Sequence, residues 1–163
     1  MDDPQKELIT ALKSIPWFEG LADEHFEKLV ALSSLRDVKA GEELYSEGDK
    51  QDYLYIVLAG RIANEIYVPG RGRVRHYTVE PMDILGWSGI TPVLRQRTTS
   101  AKAILPSRLV AMDTVRLREA CDNDHDLGYV VMRRLANVVA ARLLVTRLQL
   151  LDMFAHPEEE ASG

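Results

Sequence analysis

The sequence predicts an α+β fold, an antiparallel sandwich or barrel of about eight short strands with short helices before it and one long helix after it. Three observations carry that reading. Between Leu35 and Asp113, short apolar runs are separated by turn residues at roughly ten-residue spacing. Before Leu35, apolar residues recur at helical spacing, and from His125 to about Phe154 they do so again over a much longer span.

In "PQKELITALKSI", Leu8, Ile9, Leu12 and Ile15 share one helical face, and Pro4 suits a first turn. "PWFEGL" interrupts it, and Asp23 opens a second short helix lined by Phe26, Leu29, Val30 and Leu32. The strand candidates follow as "LRDV", "EELYSEGD", "YLYIVLAG", "RIANEIYVPGRG", "RVRHYTV", "DILGW", "TTSAKAI" and "RLVAMD". Gly41, Gly48, Gly60, Gly70 and Gly72 stand at the joints, and "VPGRG" is a hairpin signal. After Asp113 come "TVRLREACD" and the long helix, which Asp124 is placed to cap.

Along that helix, Met132, Ala136, Val139, Leu143, Thr146, Leu150 and Met153 alternate in steps of four and three, with only Thr146 polar. This is a coiled-coil seam of about three heptads. Leu127, Val131, Leu135 and Val138 form a second apolar stripe. The expectation is that one stripe packs on the strand domain and the seam on a second copy of the chain. The competing reading buries the whole helix in its own monomer, which a domain this small struggles to do for a rod of about 45 Å.

At 163 residues, with 46% hydrophobic and 28% charged residues, the chain suits one soluble domain spanning residues 1–154. That domain comprises a strand region at 35–113 and C-terminal helices at 114–154, with "AHPEEEASG" a disordered tail at 155–163. A net charge of −5 argues mildly against a nucleic-acid surface. The single cysteine, Cys121, excludes an internal disulfide and suits a reducing compartment. The acidic start "MDDPQKEL" is unlike a secretory signal, and no apolar run approaches a membrane span, so a cytoplasmic protein is expected. His25, His76, His125 and His156 form no metal-binding motif, and no catalytic grouping has a local signature. The expectation is therefore no metal and no enzyme.

The order of elements resembles the cyclic nucleotide-binding domain of the catabolite activator protein and Fnr superfamily. "LKSIPWFEGLADEHFEKLVAL" is similar to that family's helical entry, and "KAGEELYSEGDKQDYLYIVLAGRI" to its glycine-punctuated strands, with Gly41, Gly48, Asp49 and Gly60 at its turn positions. The resemblance covers roughly residues 10–154. It implies that the strands form an antiparallel jelly roll and that the long helix makes a homodimer.

It also implies that "ILGWSGITPVLRQRTTSAKA" occupies the place of the phosphate-binding cassette. Gly86 matches the cassette glycine, and Arg97 and Thr98 match its Arg-Ser/Ala pair. Amides of Gly86, Trp87, Ser88 and Gly89, the Arg97 fork and the hydroxyls of Ser88 and Thr98 would then surround a phosphate. Arg97 reads either as that ligand or as half of a structural ion pair, and Arg95 as a solvated charge or a second phosphate contact.

Trp87 stands where the family has a glutamate that accepts from a ribose hydroxyl, and an indole cannot accept. It therefore stacks on a base, adapts the pocket to another ligand, or fills it as core. "ARLLVTRL" resembles the helix that contacts the nucleotide base. Thr146 stands at the base-contacting threonine, or sets the seam's register, and Arg147 replaces the family's following serine.

The resemblance implies a non-enzymatic sensor for cyclic AMP, cyclic GMP or a related phosphorylated small molecule. The chain ends where transcription factors of the family continue into a helix-turn-helix, so direct DNA binding is not expected. The alternative is a ligand-free, degenerate domain that serves as a dimeric docking module for a downstream protein.

Overall fold

The computed structural model describes residues 3–50, 52–91 and 96–156. Two helices open the chain, α1 (Pro4–Lys13) and α2 (Asp23–Ala31), with a 3₁₀ turn at Pro16–Phe18 between them. Eight strands follow: β1 (Ser33–Val38), β2 (Glu43–Tyr45), β3 (Tyr53–Ala59), β4 (Ile62–Val68), β5 (Gly72–Val79), β6 (Ile84–Leu85), β7 (Ser100–Ala103) and β8 (Ser107–Asp113). A second 3₁₀ turn, Trp87–Ile90, separates β6 from β7, and α3 (Thr114–Asn123) and α4 (His125–Ala155) close the chain. The chain divides into two compact units, Met1–Gly128 and Tyr129–Gly163, so α4 crosses the boundary.

In the first unit the strands form two four-stranded antiparallel sheets, ordered β1-β8-β3-β6 and β2-β7-β4-β5. This is the expected jelly roll. Its interior is built by alternation: Tyr55 and Val57 of β3, Ile62 of β4, Leu85 of β6 and Leu109 and Ala111 of β8 meet in one cluster with Tyr45 of β2. The intervening Leu54, Ile56, Val110 and Met112 are buried too, and α1 and α2 pack on β1 while α3 packs on β8. A strand covered on both faces has no solvent side, so "YLYIVLA" reads as a continuous apolar run.

The turns set the limits of the strands. "EELYSEGD" yields only three strand residues, because the Asp49 carboxylate accepts the Ser46 amide at 2.8 Å and folds the rest into a turn. The β4–β5 hairpin turns at "PGR" as its sequence signals. "DILGW" stops at Leu85, since Gly86 adopts φ +73° and Trp87 begins the 3₁₀ turn. Met82, on the other side of β6, is the non-glycine residue with positive φ (74°) among the described residues.

The start of α4 is fastened within the first unit. Asp124 accepts the Leu127 amide at 3.1 Å through one carboxylate oxygen and the Lys28 ammonium at 2.6 Å through the other, with His25 Nε2 3.6 Å away. The lysine hydrogen bond, with the Leu127 amide behind it, holds the Asp124 carboxyl below its ordinary pKa. Gly128 then lies so close to α3 that a Cβ there would come within 2.9 Å of the Cys121 carbonyl oxygen. Cys121 itself is buried.

The second unit is the remainder of α4. Val131 and Leu135 are buried and Val138 is half-buried, whereas Met132, Ala136, Leu143, Thr146, Leu150 and Met153 of the seam are exposed and Val139 is half-buried. Leu144, Leu148, Leu151 and Phe154, outside the seam, are exposed as well. Of the tail expected at 155–163, residues 157–163 lie outside the described residues. No helix among the described residues is long and apolar enough to cross a membrane.

Candidate functional site: an arginine held against a tyrosine ring

Strand β6 delivers the cassette segment. Ile84 and Leu85 pair with Ile56 and Tyr55 of β3, which places Gly86 beside the start of that strand. The chain then closes one tight turn: Gly89 N–H donates to the Gly86 carbonyl at 3.3 Å, and Thr91 donates to Ser88 O through its amide at 3.1 Å and its hydroxyl at 2.8 Å. Gly89 and Ile90 are buried, and Trp87 and Ser88 are half-buried. Residues 87–90 thus form a single 3₁₀ turn, and the Gly89 amide that the sequence offers to a phosphate is engaged by the turn itself.

Arg97 is fixed at both its main chain and its side chain. Its amide donates to Asp49 O at 2.8 Å, and its carbonyl accepts the Gly48 amide at 2.8 Å, which ties the return of the cassette to the turn between β2 and β3. Its guanidinium donates from Nη1 to Gly86 O at 3.2 Å and from Nη2 to Tyr53 O, and Cζ lies 4.1 Å from the centre of the Tyr45 ring. Only 5% of the residue is exposed. Burial pulls the guanidinium below its ordinary pKa, but arginine starts so far above neutrality that it stays charged.

Sequence reasoning left Arg97 as a ligand or an ion pair. The structure adds two main-chain carbonyls and a ring face as its partners.

Gly86 is required here on two counts. Its φ of +73° disfavours any side chain, and a Cβ would stand 2.6 Å from Arg97 Nη1 and 2.9 Å from Tyr53 O. The structure therefore brings Gly86 and Arg97 together, eleven positions apart in sequence. Thr98 is next to Arg97 and exposed. Thr146 and Arg147 belong to the second unit and are exposed, with the Thr146 hydroxyl donating to Arg142 O at 2.9 Å on its own helix. Arg95 lies outside the described residues.

Beside Arg97 opens a cavity of about 330 Å³, walled by Leu44, Tyr45, Asp49, Lys50, Asp52, Tyr53, Tyr55 and Arg97. None of Gly86, Trp87, Ser88, Gly89 or Thr98 forms its wall. Sequence reasoning missed its tyrosines and aspartates. The available signal was Tyr53 and Tyr55 at the two-residue spacing of one strand face, preceded by the carboxylates of "GDKQD". Among the described residues, no group of three or more His, Cys, Asp or Glu is placed to hold a metal ion.

The family model described as the cyclic nucleotide-binding domain matches residues 35–124. No curated protein gives a significant sequence match. Among solved structures, the chain is similar to a protein from Geobacter metallireducens assigned as cyclic nucleotide-binding, at 29% identity over 88% of this chain and 99% of that one, with a TM-score of 0.70. A cyclic nucleotide-binding domain from Methylobacillus flagellatus aligns at 23% identity over 91% of this chain and 83% of that one, with a TM-score of 0.75. The catabolite activator protein of Thermus thermophilus aligns at 23% identity over 86% of this chain and 63% of that one, with a TM-score of 0.67.

Proposed function

The chain belongs to the cyclic nucleotide-binding domain family, and from that premise we propose that it is a non-enzymatic sensor whose ligand is a cyclic nucleotide or a related phosphorylated small molecule. The observation that carries the reading is Arg97: a buried cation, oriented by Gly86 O, Tyr53 O and the Tyr45 ring, in the segment where the family binds phosphate. An oriented fork requires little reordering when an anion arrives. The signal leaves through α4, whose exposed apolar residues pack on those of a second copy, and homodimerisation couples two ligand sites to one pair of helices. Trp87 and the absence of any carboxylate from residues 86–91 imply that cyclic AMP and cyclic GMP bind more weakly than where a ribose acceptor is present. A buried hydroxyl without its acceptor costs about 1–3 kcal/mol.

The test is thermal melting with and without millimolar cyclic AMP or cyclic GMP. Ligand at a hundred times its dissociation constant stabilises by about 2.7 kcal/mol, a rise that melting detects. Arg97→Ala should remove the ligand response. It should also lower the apo protein's stability by about 1–3 kcal/mol, because two buried carbonyls lose their donor.

The same substitution-bearing segment favours a second reading. With a half-buried tryptophan at the ribose position, the domain serves as a ligand-free dimeric docking module. No melting shift for any cyclic nucleotide in the wild type or in Trp87→Glu would select it.

A further inference from the structure

Arg97 is one end of a column of side chains that joins the two sheets. The Tyr45 ring, on β2, lies under the Arg97 guanidinium at 4.1 Å and stacks with Tyr55, on β3, at 6.4 Å between centroids and 19° between planes. Tyr55 is in turn held by Arg36 of β1, which donates to its hydroxyl at 2.9 Å and places its guanidinium 5.7 Å from the ring centre. Tyr45 is 7% exposed, so its ring is a fixed wall. An aliphatic residue at this inward position of β2 would fill the core equally well but would present no electron-rich face to a cation.

We propose that Tyr45 is the positioning residue for Arg97, its ring face fixing the guanidinium in the orientation in which it takes a phosphoryl oxyanion. The proposal rests on the sensor reading for what Arg97 binds, but not for how Arg97 is held. The two carbonyl bonds locate Nη1 and Nη2, and a guanidinium held by two acceptors alone still pivots about the line joining them. Contact of Cζ with the ring removes that freedom. The chemistry selected is an anion met edge-on by a planar fork, which a lysine at 97 would not reproduce.

The experiment uses the full chain with ¹⁵N-labelled arginine, the Arg97 Nε–H resonance being assigned by its disappearance in Arg97→Lys. In the wild type that resonance is expected away from the crowd of solvent-exposed arginines, shifted by the ring current and slow to exchange. Tyr45→Phe should keep it there, and Tyr45→Leu should move it into the crowd.

Calorimetric titration with cyclic AMP should show Tyr45→Phe within about twofold of the wild type and Tyr45→Leu roughly 2- to 30-fold weaker. Pentafluorophenylalanine at position 45 keeps the ring's shape and reverses the potential of its face, so it should behave as leucine does and gives the answer even if the leucine variant does not fold. An unchanged Arg97 resonance in the leucine and fluorinated variants overturns the proposal, as does equal weakening by phenylalanine and leucine. A resonance that moves as expected in a protein that binds no cyclic nucleotide upholds the way Tyr45 holds Arg97 and overturns the cyclic nucleotide as the ligand instead.

Discussion

In the roll, Val57, Ile62, Leu85 and Leu109 are wholly buried, while in α4 beyond Tyr129, Leu143, Leu148, Leu151 and Phe154 are each more than half exposed. Both regions are rich in leucine and valine. In the roll these four side chains meet counterparts from elsewhere in the same chain, because alternating strands from two sheets supply complementary faces. A helix whose apolar residues point in several directions has no such counterpart within itself, and Leu143, Leu148, Leu151 and Phe154 stay exposed in the single chain.

One substitution chemistry applied to both regions breaks or sharpens that contrast. Val57→Glu places an unpaired charge in the roll's interior, a penalty of several kcal/mol against a total stability of about 5–15, and should leave the chain without a cooperative melting transition. Glutamate at both Leu143 and Leu150 should leave the first unit's melting unchanged and weaken the proposed dimer. Two leucines lost from an interface, at about 1.5–3 kcal/mol each, correspond to roughly a hundredfold or more in dissociation constant. Light scattering showing the same mass for wild type and double variant would refute the seam.

Two smaller changes probe the roll on either side of β6. Gly86→Ala brings a methyl group against Arg97 in a left-handed backbone and should lower stability to urea by about 1–3 kcal/mol. Met82→Gly should act in the opposite direction, raising it by about 0.5–1 kcal/mol, since methionine there carries a left-handed strain that glycine does not.

Much of the roll was legible because its signals are local. Strand length, apolar alternation and turn glycines are each carried by a few adjacent residues, and all eight strand candidates correspond to observed strands. The shortening of "EELYSEGD" and "DILGW" was less legible, because it depends on where Asp49 and Gly86 send the chain next.

At the site, Gly86 and Arg97 could be singled out from their sequence setting. Tyr45 could not, since its role exists only when β2 and the cassette's return meet, more than fifty positions apart. The apolar residues of α4 outside the seam show a similar limit. A heptad pattern marks one stripe, and Leu144, Leu148 and Leu151 fall off it while remaining exposed.

Cys121, packed where α3 meets Gly128, makes the protein convenient to label. Burial, with Asp122 and Asp124 nearby, pushes its thiol up to about 11. At pH 8 only about one molecule in a thousand then carries the reactive thiolate, so maleimides and iodoacetamide should pass it over in the folded state. A spin label or dye attached to a new cysteine on the exposed face of α4 would report on that helix alone, with the native sulfur left in place.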